Sequence, residues 1–204
     1  EGHCIAAPTQ DRIPPSARVK SYPVADRYGF VWIWMGDPAL ADEGDIYKIE
    51  NYDQPGWGRT DGGVLDIRCN YLYMTDNLLD PSHVAWVHKG SFFAPGTEGT
   101  PLESQMFEDG LVVSRWIYDQ EPPAFYAPLL KFEGRCDRLQ HYEVRTPSIA
   151  INKSIFTPPG TGGDESNLPP QAYTMVSYNF MTPVDEDHTR YYWFQHRNTD
   201  PDNA

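Results

Sequence analysis

Ala172-Tyr-Thr-Met-Val-Ser-Tyr-Asn-Phe-Met-Thr182 is rich in β-branched and aromatic residues and reads as a β-strand. Thr189-Arg-Tyr-Tyr-Trp-Phe-Gln-His-Arg197 reads the same way a few residues later. Upstream, residues 110–119 and 139–152 give two further strands and residues 63–68 a short one. The Pro- and Gly-rich segment Pro158-Pro-Gly-Thr-Gly-Gly-Asp-Glu-Ser-Asn-Leu-Pro-Pro170 is a loop between two of them. Residues 17–36 alternate, with Tyr28-Gly-Phe-Val-Trp-Ile-Trp-Met-Gly36 a strand bounded by glycines. The acidic, irregular residues 37–55 are a candidate linker. Helical character is confined to residues 69–79 and about 81–89, where Asp80-Pro81 carries a helix-start signature, Asp as N-cap and Pro at the first helical position. The sum is an α+β layout in which an antiparallel sheet wraps on a few helices.

A chain of 204 residues buries a real core. Its net charge of −13 argues against a nucleic-acid or anionic-membrane partner, both of which need basic clusters. No apolar run approaches bilayer length. The three scattered cysteines, Cys4, Cys69 and Cys136, do not suggest a disulfide framework, so the expected setting is the reducing cytoplasm. The chain opens on Glu1-Gly-His-Cys rather than Met and stops after Asp200-Pro-Asp-Asn-Ala204, so the expectation is a piece of a longer protein.

The helical stretch Asn77-Leu-Leu-Asp-Pro-Ser-His-Val-Ala-Trp-Val-His88 carries the chemistry. It sets two imidazoles five residues apart with a carboxylate three residues before the first. In a regular helix that spacing separates them by about 140° around the axis, so a shared metal requires a local π-type widening or rings that swing inward. Two imidazoles and one carboxylate make the facial set of non-haem Fe(II), and zinc is the other metal such a pair takes. Two unrelated histidines, one buried and one exposed, would give the same spacing. Asp80 reads equally as a helix cap or as a buried carboxylate that fixes a histidine ring. Asn77 is either an exposed helix residue or a polar neighbour of a metal.

This stretch resembles the iron-binding helix of the Rieske-type non-haem iron oxygenases. Ile13-Pro-Pro-Ser-Ala-Arg-Val-Lys-Ser-Tyr-Pro-Val24 with Tyr28-Gly-Phe-Val-Trp-Ile-Trp-Met-Gly-Asp-Pro38 resembles the end of the Rieske domain of the same family, and the likeness is strongest to the vanillate O-demethylase branch. The resemblance implies a helix-grip-like catalytic domain preceded by the C-terminal end of an all-β Rieske domain. Residues 1–36 would be that tail, 37–57 a linker and 58–204 the catalytic domain. It implies His83 and His88 as iron ligands, Asp80 as the link to a Rieske-cluster histidine of a neighbouring subunit, and Asn77 near the iron. The [2Fe-2S] cluster motifs Cys-x-His and Cys-x2-His are absent, His3-Cys4 being in the wrong order, and would lie before Glu1. The third iron ligand, an aspartate, would lie after Ala204; Asp200 and Asp202 are the only late carboxylates and sit in a turn-like sequence.

The implied reaction takes electrons from a separate flavin/iron-sulfur reductase into a homotrimer, activates O2 at mononuclear Fe(II) and hydroxylates a methoxy group of an aromatic acid, releasing a phenol and formaldehyde. Asn152 and Asn179 are candidates for contacting the aromatic substrate, set against a reading as ordinary strand positions. The rivals are ring dihydroxylation or another dealkylation at the same iron, a non-catalytic helix-grip domain that binds an aromatic ligand, and a zinc hydrolase. The last lacks a Glu between the histidines to serve as base.

Overall fold

The computed structural model describes residues 2–202 and divides into two compact units, residues 1–52 and 53–204. In the first unit, β1 (Val24–Arg27) and β2 (Phe30–Ile33) form an antiparallel hairpin. Strand β2 falls between the two glycines that bound it in the sequence, and the chain reverses before it at Tyr28-Gly29, both of which take positive φ (60° and 74°), the geometry of the tight turn that matches strand twist. The acidic stretch that follows is ordered into 3-10 turns at Pro38–Leu40 and Glu43–Asp45. Asp37 and Asp42 cap them by accepting the amides of Ala39 and Gly44.

The second unit opens with β3 (Gly58–Arg59) and β4 (Gly63–Ile67), then α1 (Tyr71–Leu79) and the single-turn α2 (Val84–Val87). Strands β5 (Glu103–Phe107), β6 (Gly110–Gln120), β7 (Cys136–Arg145), β8 (Ile149–Thr157), β9 (Tyr173–Pro183) and β10 (Thr189–Arg197) follow. All eight strands of the unit join one sheet in the order β3-β10-β9-β8-β7-β6-β5, with β4 also on β10, and every pairing is antiparallel. The expected α+β class with an antiparallel sheet is what the chain adopts. Two boundaries differ. The stretch read as one strand over residues 139–152 is two, because the chain turns back at Thr146-Pro147-Ser148, where Pro147 has no N–H to give a ladder. The helix expected over 81–89 shrinks to Val84–Val87.

Helix α1 starts where Asn70 accepts the amide of Leu72 through its side chain (3.0 Å). It stops at Leu79 because Pro81 excludes the helical conformation for Asp80, whose φ and ψ are −87° and 107°. Along β6 to β10, alternate residues face α1, which packs across β7, β8 and β9. At one end of this face an apolar cluster of Tyr126, Cys136, Phe156, Tyr173 and Met175 closes the layer. Toward α1 the same face turns polar and opens into a cavity.

Candidate functional site

A cavity of about 230 Å³ lies between this sheet face and the helices, lined by Asn77, His83 and His88 on one side. Its sheet side follows the strand register. Tyr142, Asn152, Ser177 and Gln195 oppose one another across β7, β8, β9 and β10 and all line it. Asn179, Trp193 and Tyr191 extend the lining toward the end of α1, and Ser154 with Arg138 the other way.

The histidines approach one another by a route the sequence spacing did not suggest. No π-turn occurs among the described residues; His83 is the N-cap residue of α2 and His88 its C-cap residue. His83 keeps helical angles (φ −65°, ψ −22°) whereas His88 leaves them (φ −109°, ψ 30°), and the two rings lie with centroids 5.3 Å apart at 64°. The His83 carbonyl accepts the amides of Trp86 (2.9 Å) and Val87 (2.8 Å), and the Val84 carbonyl that of His88 (3.1 Å), which fixes the turn. Phe92 closes against His88 with ring centroids 5.6 Å apart.

Asp80 is not the N-cap of the second helix. It is the C-cap residue of α1, and its Oδ1 accepts the amide of Ser82 (2.7 Å), bending the chain through Pro81 toward His83. Its Oδ2 stands 3.4 Å from Nδ1 of His83. The distance is long for a hydrogen bond, and Nδ1 is otherwise a buried atom without one, so the contact is an electrostatic one. Burial opposes the Asp80 carboxylate, yet the Ser82 hydrogen bonds and the neighbouring His83 outweigh it and hold its pKa below the usual range. With Nδ1 of His83 against this carboxylate, Nε2 is the nitrogen left for a metal.

Asn152 and Asn179 both line the cavity, but their amides are engaged. Asn152 Nδ2 donates to the Leu78 carbonyl in the last turn of α1 (2.7 Å), and its Oδ1 accepts from Asn179 Nδ2 (3.2 Å). Tyr191 donates its hydroxyl to Asn179 Oδ1 (2.6 Å), and burial pushes that phenol up to about 12. The chain Tyr191–Asn179–Asn152 thus ties three strands to a helix-end carbonyl that has no helical partner. Reading the sequence singled out the two asparagines and missed Tyr191, Ser177, Gln195 and Arg138. Polar residues at alternate positions of β9 and β10 were the available signal.

Two imidazoles facing one cavity beside a carboxylate-oriented ring fit the histidine part of a non-haem iron or zinc set. Among the described residues no group of three or more His, Cys, Asp or Glu side chains converges, and after β10 Asp200 precedes a turn in which Asp202 lies. A second cavity, of about 270 Å³ in the first unit, carries Asp42, Glu43 and Asp45 but no imidazole or thiol.

The model of the vanillate O-demethylase oxygenase C-terminal domain matches residues 67–204. The chain belongs to that family. Its relatives include an iron-sulfur subunit of the toluene-4-sulfonate monooxygenase system of Comamonas testosteroni, 36% identical over 98% of this chain and 58% of its own length. The vanillate O-demethylase oxygenase subunit of a Pseudomonas strain is 32% identical over 98% of this chain and 57% of its own. Crystalline dicamba monooxygenase bound to 3,6-dichlorosalicylic acid superposes with a TM-score of 0.87 at 26% identity, covering 99% of this chain and 58% of that one. The chain therefore spans somewhat over half the length of these relatives. No helix among its described residues is long and apolar enough to cross a membrane.

Proposed function

We infer that this chain is the iron-holding part of the oxygenase component of a Rieske-type monooxygenase that acts on a small aromatic acid. Within that class, the reading is O-demethylation of a methoxylated, vanillate-like acid to a phenol and formaldehyde. The observation that carries it is the meeting of His83 and His88 over one cavity, with Asp80 at the outer side of His83. His83 and His88 would hold the mononuclear iron, with an aspartate beyond Ala204 as third ligand. Bound there, the iron supplies the activation of O2.

The remaining roles fall to residues of this chain. Asp80 orients the His83 ring and offers a carboxylate through which a Rieske cluster of a neighbouring subunit connects, in a working form read as a homotrimer. Asn77 is the polar neighbour on the helix side. Asn152 and Asn179 hold the end of α1 against the sheet and, as part of the cavity wall, meet the substrate there. Phe92, Tyr126 and Trp193 keep the cavity poor in water. Residues 1–36 are assigned to the tail of the Rieske domain, 37–57 to the linker and 58–204 to the catalytic domain. The cluster ligands lie before Glu1 in this reading, and a flavin/iron-sulfur reductase donates the electrons.

A second reading, oxidation of a methyl-substituted arenesulfonate, is favoured by the 36% identity to the toluene-4-sulfonate system. Supplying the full-length protein and a reductase with vanillate, other methoxybenzoates and 4-toluenesulfonate separates the two. Formaldehyde from the methoxy acids supports demethylation, and an oxidised sulfonate alone supports the second. Full iron occupancy in a His83→Ala variant would sink both, and an iron-free protein that still binds aromatic acids would point to the non-catalytic helix-grip domain.

A further inference from the structure

Arg138 is 1% exposed and Arg115 is 8% exposed, and neither guanidinium makes an ion pair with a carboxylate among the described residues. Arginine does not shed its proton to escape burial, so a buried, uncompensated guanidinium is costly unless something answers its charge. Both residues lie on the cavity face of the sheet, in adjacent cross-strand rows, since Arg115 opposes Gln140 and Arg138 opposes Ile117 and Phe156. Arg138 donates to the Phe92 carbonyl (2.9 Å), stands over the rings of Tyr126 and Phe156 (5.1 and 5.2 Å), and leaves its Nε without a partner. Arg115 donates to Gln140 Oε1 (2.7 Å), and Gln140 in turn reaches the Tyr142 hydroxyl (3.4 Å) on the cavity wall. Burial lowers the Arg115 pKa and the Arg138 charge acts in the same sense, against Tyr142 and Glu98, which raise it. In a chain of net charge −13, no Asp or Glu is among the residues that line the cavity.

We propose that Arg138, backed by Arg115 and flanked by the hydroxyls of Tyr126 and Ser154, is the anchor for the anionic group of an aromatic acid bound in the cavity. The Tyr126 and Ser154 hydroxyls are already within 3.3 Å of each other at that end. Phe92 separates the two ends of the site: its ring packs on His88 while its carbonyl holds Arg138. A ring lying along Phe92 therefore sets its anionic substituent at Arg138 and its opposite substituent toward the histidines. A sulfonate and a carboxylate share this chemistry, which deepens the aromatic-acid reading above and rests on it.

The test is calorimetric binding to the full-length, iron-loaded protein, without turnover. The probes are 4-toluenesulfonate and vanillate, each set against a neutral counterpart, 4-toluenesulfonamide and vanillyl alcohol. The wild type should bind at least one acid about tenfold or more tighter than its counterpart, about 1.4 kcal/mol. Arg138→Met should bring that ratio within about twofold while leaving the neutral ligand's affinity unchanged, and Arg138→Lys should restore part of it. Equal binding of acid and neutral ligand, or no measurable binding of either acid, overturns the proposal. So does a folded Arg138→Met that keeps the preference. Should Arg138→Met fail to fold, Arg138→Lys decides: loss of the planar fork must weaken the acids selectively, and unchanged acid affinity overturns it. Acid-selective binding with no oxygenated product leaves the anchor standing and sinks the oxygenase reading; turnover without acid selectivity does the reverse.

Discussion

Replacing Asn152 by Ala removes a side chain that joins the sheet to the end of α1. Two hydrogen bonds go with it, at 2.7 Å to the Leu78 carbonyl and 3.2 Å from Asn179. Asn179 Nδ2 keeps the Ala150 and Ser177 carbonyls (3.0 and 3.2 Å), so that loss costs about 1 kcal/mol or less. The Leu78 carbonyl belongs to the last turn of α1 and is left without its acceptor role filled, worth about 1–2 kcal/mol. The expected destabilisation is about 1–3 kcal/mol, a fall in Tm of about 2–12 °C for a unit of this size. Equilibrium urea unfolding measures it, since the midpoint should move with little change in slope. Tyr191→Phe deletes only the 2.6 Å bond to Asn179 Oδ1, about 1 kcal/mol. Because both variants act through Asn179, the double variant should fall short of additivity by about 0.5 kcal/mol or more. A shift below about 0.5 kcal/mol for Asn152→Ala, or strict additivity of the pair, would refute the bracing role.

Four further outcomes are expected, the first from the proposed function and the others from the structure. Asp80→Asn should retain iron but slow electron transfer into the site, and unchanged turnover in a single-turnover assay would refute the link. Asp137, 1% exposed, accepts the amides of Asp119, Gly160 and Gly162 (2.9, 2.8 and 3.0 Å), so Asp137→Ala should cost about 3–5 kcal/mol by urea unfolding, with the 158–163 loop newly open to protease. Burial works against the Glu143 carboxylate, but hydrogen bonds from His141 and Arg145 (3.0 and 2.5 Å) outweigh it and hold its pKa below the ordinary 4.5. A depressed carboxylate stabilises above that value and loses its contribution as pH falls below it, so the Tm advantage of wild type over Glu143→Gln should shrink below about pH 4.5. Burial pushes the Cys136 thiol up to about 11 whereas Cys4 is exposed, so a thiol reagent at pH 8 should label Cys4 and spare Cys136, as read by peptide mass.

Much of the sheet was legible because β-branched and aromatic runs such as residues 173–183 and 189–197 leave little else to form. The hairpin at Pro147 was not, since Thr146 and Ser148 continue the strand-like composition and only the missing N–H marks the reversal. At the site, the pairing of His83 with His88 was readable and its geometry was not. Spacing arguments assume one continuous helix, and Pro81 instead ends α1 early enough to leave the histidines at the two caps of a single turn. The same proline that suggested an N-cap for Asp80 made it a C-cap. Arg138 was invisible, because a lone Arg in a strand normally faces water and nothing local announces a buried one.

The register of β7 to β10 has a consequence for how such a site can change. Consecutive strands are neighbours in the sheet, so each cavity wall position is addressed by one column (the strand) and one row (the cross-strand line). The intervening residues, among them Leu139, Ile151, Ile155 and Val176, are buried on the opposite face. A substitution at Ser177 or Gln195 therefore reshapes the chamber without touching those packing positions. Selection for a new ligand can proceed cell by cell on this grid while the layer that keeps the sheet folded is inherited intact.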